Sequence, residues 1–344
     1  MTASGSPPLV SICVPTYNVA NTVQETLASI LSQTYPNITV NISDNASTDE
    51  TLKVVASMKE TRIHVHPQAK NIGAEGNFTR CIQLATGKYT AIFHADDIYE
   101  SEIVAKQVAF LEAHPEVGAV FSEVITIDEQ GVPFGHIGCV PNEHGAVACL
   151  GFRELLQSML LHHNFLICAS AMVRTDIYQN EIKAWGGRGF RSSADIDTWL
   201  RIARNHMIAV LHEPLMRYRI SRAQFSHQNR QRTERADFFL VMDHYLDQPD
   251  VLSLLTPEDQ RHYRWLERHE HVSLALNLLG LGRAAEAKKH LQGIFSWDAV
   301  YAAFKTRRGL VTLASGVFLR ILILLGLSKL GMKTAQLVKN ISWR

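Results

Sequence analysis

Leu9-Val10-Ser11-Ile12-Cys13-Val14-Pro15 is a nearly continuous apolar run, and Thr16-Tyr17-Asn18 ends it abruptly. A short β-branched run closed by turn-forming residues predicts a strand buried on both faces, which is the habit of parallel sheets. Helical spacing follows over Val23 to Leu31, after the cap-like Asn21-Thr22. The alternation then repeats. Ile38 to Ile42, Ile63 to His66 and Tyr89 to His94 predict strands, while Thr51 to Met58 and Gly76 to Ala85 predict helices. Strands and helices alternating at this spacing imply βαβ units around a mainly parallel sheet, an α/β fold.

Open α/β sheets bind ligands beyond the carboxyl ends of their strands. The unusual polar residues lie there: Thr16-Tyr17-Asn18 after the first strand, Asp44-Asn45 after the second and Asp96-Asp97 after the fourth. Further on, Ser101 to His114 predicts a helix and Val117 to Ile127 a strand, with a Gly- and Pro-rich loop or irregular hairpin over Asp128 to Ala146. Phe152 to Leu161 reads as a helix, Phe165 to Val173 as a strand, Asp195 to Asn205 as a helix and Ile208 to Ile220 as extended chain. After about Ser226 the patterns are helical, over Glu234 to Leu246, Pro257 to Leu279 and Arg283 to Phe295. The expected organisation is therefore a catalytic-type domain over 1–226, a helical appendage over 227–304 and a basic, apolar helix over 305–344.

The chain of 344 residues is 46% hydrophobic and 19% charged, values that fit a sizeable core and argue against disorder. Met1 to Pro8 has neither a basic nor an apolar region, so no secretory signal is expected. The five cysteines show no CxxC spacing, which favours free thiols over disulfides or a zinc site. The net charge of +1 hides an asymmetry: residues 305–344 hold eight basic and no acidic residues, leaving −7 on the rest. A basic tail on an acidic body suits an anionic partner, a membrane surface or nucleic acid. Gly309 to Ser328 is long enough to span a bilayer, but Arg320 lies inside it, at a cost of roughly 2.5–3.5 kcal/mol near a bilayer centre. Arg308, Thr312, Gly316 and Arg320 form a less apolar stripe at spacing four. Two readings stand open: a helix lying in the membrane interface, and a core helix packed on the appendage.

Adjacent carboxylates at the end of a buried strand, as in Ala91-Ile92-Phe93-His94-Ala95-Asp96-Asp97, supply hard oxygen ligands of the type Mg²⁺ and Mn²⁺ accept. An Asp pair also forms turns and helix caps, so the pair alone decides nothing. Its company is more specific. Val10 to Asn18 resembles the opening strand of family 2 glycosyltransferases. Ile42-Ser43-Asp44-Asn45-Ala46-Ser47-Thr48-Asp49 is similar to the second-strand motif of that family. Asn71-Ile72-Gly73, Asn77 and Ala85-Thr86-Gly87-Lys88-Tyr89 resemble the run leading into its metal motif.

The resemblance spans roughly residues 8–222 and implies the GT-A fold, a Rossmann-like mixed sheet that binds nucleotide-diphosphate sugars. It implies nucleotide-binding roles for Pro15, Thr16, Tyr17, Asn18, Asp44, Asn71 and Asp96, with Asp44 bonding a base that is commonly uracil. Asp96 matches the metal-binding second aspartate of the family's DxD motif, and Asp97 follows it as a further ligand. His94 stands where the first aspartate is usual. Ser193-Ala194-Asp195-Ile196-Asp197-Thr198-Trp199-Leu200-Arg201 resembles the segment that carries the catalytic base, which makes Asp195 the base. Asp195 also suits a helix N-cap, Asp197 is the competing acid, and Trp199 reads as core.

Arg201 is expected to be structural or a phosphate-side contact, and Arg219, Arg222 and His227 are candidates for diphosphate neutralisation. The implied function is inverting, Mn²⁺- or Mg²⁺-dependent transfer from a nucleotide sugar, expected to be a UDP-sugar, to a glycan or lipid-linked acceptor. No nucleic-acid partner is expected, and the expected location is cytoplasmic, peripheral on the inner face of the plasma membrane. A nucleotidyltransferase of related fold and a non-catalytic nucleotide-sugar-binding protein are the competing readings.

Overall fold

A computed structural model describes residues 6–138, 146–221 and 232–327. The chain divides into two compact units, one of residues 1–158 and 164–221, the other of residues 159–163 and 222–344.

The first unit is built on one mixed sheet. Its first four strands are β1 (Val10–Thr16), β2 (Ile38–Asp44), β3 (Ile63–Pro67) and β4 (Tyr89–Ile92). They lie in the order β3-β2-β1-β4, all parallel. The helices α1 (Val23–Leu31), α2 (Thr51–Ser57) and α3 (Gly73–Leu84) connect them. The apolar runs are continuous because strands covered on both faces have no solvent side: Val10, Ile12, Val14, Val40, Ile42, Tyr89 and Ala91 are all fully buried. The edge strand β3 instead exposes His64 and Val65. Gly87 lets the chain enter β4 against the backbone of Leu9 and Ser11, where a Cβ would lie within 3.0 Å of both.

Beyond β4 the sheet changes direction. The short β5 (Ile98–Tyr99), the helix α4 (Ile103–Ala113) and the long β6 (Val117–Ile127) follow the Asp pair. β7 (Pro133–Ile137) folds back on β6 as a hairpin, and β8 (Val147–Leu150) pairs antiparallel with β10 (Met207–Arg219). The helix α5 (Phe152–His162) lies between β8 and the strand β9 (Met172–Arg174). β9 is inserted antiparallel between β4 and β6. The predicted strand over Phe165 to Val173 is corrected here: Cys168–Ser170 forms a 3₁₀ turn, and only Met172–Arg174 is strand. The turn is fixed by Gln107, whose side-chain amide donates to the Ser170 carbonyl at 2.6 Å. β10 runs parallel to β6, with a register shift at Pro214, which has no N–H for the ladder. A π-helical segment over Ile177–Ile182 precedes α6 (Ala194–Ala203).

The second unit is helical: α7 (Asp237–Leu246), α8 (Pro249–Leu252), α9 (Pro257–Gly280), α10 (Ala284–His290), α11 (Trp297–Lys305) and α12 (Arg307–Leu324). Thr256 and Asp259 form a reciprocal capping box at the start of α9, with Pro257 in its first turn. Gly282, at φ +76°, allows the tight turn into α10. Val272, Ala275, Leu278, Leu279, Leu291, Ile294 and Leu319 pack as its core. Of the stripe at spacing four on α12, Thr312 and Gly316 turn inward, while Arg308 is exposed and Arg320 half-buried. Thr312 is buried and hydrogen-bonded to His269 at 2.9 Å, and Gly316 lies so close to Ile294 that a Cβ would reach it at 2.6 Å. The outward face holds Leu310, Val311, Phe318, Ile321 and Leu324, all exposed. Among the described residues no helix is long and apolar enough to cross a membrane.

Candidate active site

The loops after β1 and β2 are latched together by side chains. Asn18 takes a left-handed conformation, φ 54°, which Asn tolerates better than most residues. Its Oδ1 accepts from the Thr48 N–H at 2.8 Å, and its own N–H donates to Ser47 Oγ at 3.0 Å. Asp44 is fully buried at the end of β2. Its Oδ1 accepts from Thr16 Oγ1 at 2.9 Å and Ser47 Oγ at 2.6 Å, and its Oδ2 from the Ser47 N–H at 3.0 Å. At the end of β1 Pro15 is half-buried and Thr16 buried, while Tyr17 projects with 48% of its surface exposed. Asn71, after β3, joins the same edge: its Oδ1 accepts from Asn45 Nδ2 at 3.0 Å and from the Gly73 N–H at 2.8 Å.

The end of β4 carries a second group. One ligand atom each from His94, Asp96 and Asp97 lies within 4.8 Å of the others. The segment is held from behind: Thr22 Oγ1 donates to the Ala95 carbonyl at 2.9 Å, Thr26 Oγ1 to the Asp97 carbonyl at 2.7 Å, and the His94 N–H to Tyr99 Oη at 2.7 Å. Asp97 is fully buried, and its Oδ1 accepts from the Arg219 N–H at 2.8 Å. Its Oδ2 has no hydrogen-bond partner, and neither has the buried Nε2 of His94. Burial, helped by the charge of Asp96, pushes the Asp97 carboxyl well above the usual range against the pull of Arg219. Burial likewise lowers the His94 imidazole, so its nitrogen is available as a lone-pair donor. Two unsatisfied buried donor atoms beside a further carboxylate fit a divalent cation of the Mg²⁺ or Mn²⁺ type.

Asp195 stands in the first turn of α6, where Ser193, not Asp195, occupies the N-cap position. Asn164 Nδ2 reaches its Oδ2 at 3.4 Å, and Asn164 Oδ1 accepts from the Leu166 N–H at 3.1 Å. Burial raises the Asp195 carboxyl to about 6, against the lowering by bonds from the Ile196 N–H, the Asn164 side chain and the Asp195 N–H. The thiol of Cys168, raised chiefly by burial, feels the charges of both Asp195 and Asp97, which brings the base candidate and the β4 cluster to one locality. Asp197 is different in kind. It is 1% exposed and held by Arg188 at 3.3 Å and Arg201 at 4.0 Å. Trp199 is core, packed edge-on against Phe121 and Trp185 at 4.9 and 5.5 Å.

Two arginines are committed elsewhere. Arg201 donates to the carbonyls of Glu181 and Ile182 at 3.2 and 2.9 Å. Arg219, expected as a diphosphate contact, is 4% exposed, and its guanidinium bonds the carbonyls of Asp96, Asp128 and Glu129 and the carboxylate of Glu25. Arg222 and His227 lie outside the described residues. Sequence reasoning passed over Asn164, Tyr99 and Thr26, and read Thr22 only as a helix cap.

The family model described as Glycosyl transferase family 2 matches residues 11–180. The chain is 32% identical over 199 residues to EpsE of Bacillus subtilis, named as a glycosyltransferase, covering 57% of this chain and 67% of that one. It is 36% identical over 104 residues to WfaP of Escherichia coli, named as a UDP-Glc:alpha-D-GlcNAc-diphosphoundecaprenol beta-1,3-glucosyltransferase, across 30% of this chain and 41% of that one. Among solved structures, residues 1–349 of S. aureus TarS with UDP-GlcNAc share the fold at a TM-score of 0.56 and 16% identity, over 86% of this chain and 91% of that one. The mannosyltransferase PcManGT of Pyrobaculum calidifontis with GDP-Man and Mn²⁺ does so at 0.52 and 17%, over 93% and 88%. The shared fold is GT-A.

Proposed function

Glycosyl transferase family 2 is the family to which this chain belongs, and on that premise we propose that it transfers a sugar with inversion from a UDP-sugar to a hydroxyl of a glycan or lipid-linked saccharide. Tyr17 stacks on the base. Pro15, Thr16, Asn18, Asp44 and Asn71 shape the nucleoside pocket, Asp44 through the Thr16 and Ser47 hydroxyls it orients. Asp96, Asp97 and His94 hold a divalent cation, Mn²⁺ or Mg²⁺, and Asp96 also faces the nucleotide. When bound, that cation offsets the negative charge gathering on the departing diphosphate.

Asp195 removes the proton from the acceptor hydroxyl while the hydroxyl oxygen bonds to the anomeric carbon. The bond from that carbon to the diphosphate oxygen breaks on the opposite face, and UDP leaves with the electron pair. The observation that carries this reading is the Asp195 carboxyl itself, raised to about 6 and oriented by Asn164. A base is most effective when its pKa lies near working pH, and this one is a carboxylate at neutrality that still binds a proton readily. A lipid-linked acceptor accords with the diphosphoundecaprenol acceptor in the name of WfaP.

Residues 1–226 carry the transfer chemistry, 227–304 form the helical appendage, and 305–344 hold the protein peripherally on the cytoplasmic face of a membrane. The exposed Leu310, Val311, Phe318 and Ile321 support that attachment. A panel of UDP-sugars with Mn²⁺ and a saccharide acceptor tests the function through UDP release. Pyrophosphate made from UTP and a sugar phosphate would indicate a nucleotidyltransferase instead.

A further inference from the structure

The helical unit contains a cavity of about 260 Å³, remote in sequence from the β-strand ends. Leu161, Leu266 and Leu313 give it apolar walls, and His162, His262, Arg268 and Arg308 line it as well. The acids nearby are already taken. Asp298 lies 3.8 Å from Arg264 and 3.6 Å from Arg268, and Glu258 lies 4.0 Å from His262. Arg308 has no acidic partner among the described residues. It also stands in the first turn of the 18-residue α12, which contains no acid there, and a helix's positive end is an unfavourable place for a cation. Its charge adds to burial in holding His162 and His269 below the usual imidazole range. One further donor of this lining, Trp265 Nε1, is buried without a hydrogen-bond partner, while Arg268 Nη1 faces Asp298 Oδ2 at 3.6 Å.

A half-apolar cavity bordered by the exposed Arg308 guanidinium, which has no acidic partner among the described residues, and holding the spare Trp265 indole N–H suits an oxyanion attached to hydrocarbon. Its volume is near the low end of small-ligand pockets, about 300–1,000 Å³, so it suits a head group and the first carbons of a chain. The rest of a long chain has somewhere to go. Phe304, Leu310 and Val311 flank the lining residues Thr306, Arg308 and Gly309 in sequence, and they are 86%, 56% and 52% exposed.

We propose that this cavity binds the phosphate group of an amphiphile, a phosphate ester on an aliphatic chain, with the phosphate at Arg308 and the first carbons against Leu161, Leu266 and Leu313. This goes beyond peripheral attachment, which needs only exposed side chains and no cavity. It is independent of the transfer chemistry.

Calorimetric titration of the full chain with geranyl phosphate, geraniol and inorganic phosphate tests it. Geranyl phosphate is expected to bind at least about tenfold more tightly than either of the others, since both halves of the site are then filled. Arg308→Gln should lose about tenfold of that affinity, Arg308→Lys should keep most of it, and Arg320→Gln should leave it unchanged. Competition by phosphatidylglycerol vesicles would identify a bilayer head group as the occupant, and lack of competition a phosphate monoester carrier. Geranyl phosphate binding no tighter than inorganic phosphate overturns the proposal, as does full affinity in Arg308→Gln. The three ligands on the unaltered chain decide the matter even where a variant folds poorly. Asp195→Asn should leave this binding intact, which separates failure here from failure of the transferase reading.

Discussion

The backbone N–H of Arg219 donates to Oδ1 of Asp97 across 2.8 Å, joining residues 122 positions apart. The same residue's guanidinium bonds the carbonyls of Asp96, Asp128 and Glu129. Arg219 therefore ties β10 to the Asp pair and to the β6–β7 turn. Arg219→Ala removes the guanidinium bonds to these three carbonyls and to Glu25, and should lower unfolding stability by about 3 kcal/mol, read from urea denaturation. Glu25→Gln touches only the half-exposed end of the network and should cost about 1 kcal/mol or less. Equal losses would mean that the ion pair, not the backbone strap, holds the turn.

Asp195 also makes a prediction about stability. Its folded carboxyl is raised to about 6 from 3.8, so the folded chain holds this proton more tightly than the unfolded chain. The contribution is fully present below about pH 4 and is lost as pH rises through about 6. Asp195→Asn, a neutral isostere, should therefore stabilise the fold at about pH 8, by on the order of 2 kcal/mol, and change little at about pH 4. Thermal melts at the two pH values check this, and an equal shift at both would remove burial of charge as the cause. Transfer itself should rise with pH through an apparent pKa of about 6, because the base works as the carboxylate.

Asp96→Ala should abolish the effect of Mn²⁺ on UDP binding. The side chain lies at the open end of the β4 cluster, only partly buried, so stability should fall by less than about 1 kcal/mol. Titration of UDP with and without Mn²⁺ gives the answer. A persisting metal response would move the cation to other ligands.

Tyr17 is half exposed at the end of β1, where its ring is free to meet a planar base. Tyr17→Ala should raise the KM for the donor about tenfold with little change in kcat, the signature of a lost stacking contact of about 1–3 kcal/mol. A fall in kcat with unchanged KM would contradict the stacking role.

The parallel α/β half of the sheet was legible because strands covered on both faces leave unbroken apolar runs, whereas the GT-A class was legible only through the resemblance of the motifs at the strand ends to family 2. The antiparallel insertion was not. β9 has three residues, β5 has two, and the intervening Cys168-Ala169-Ser170 turn is as apolar as a strand. Within the site, Asp195 and Asp197 look alike in sequence. Their difference comes from Asn164 on one side and Arg188 with Arg201 on the other, contacts that no local pattern encodes. The C-terminal stripe was visible, but its direction depended on Ile294 and Val272 packing against Gly316, and these lie far away in the chain.

The central claim, that Asp195 is the base of a sugar transfer, is tested most directly by Asp195→Asn assayed for both turnover and UDP binding. Transfer from the preferred UDP-sugar should fall by at least about a hundredfold, the usual scale of general-base catalysis, while Mn²⁺-dependent UDP affinity stays within about twofold. Turnover at the level of the unaltered chain would contradict the claim outright.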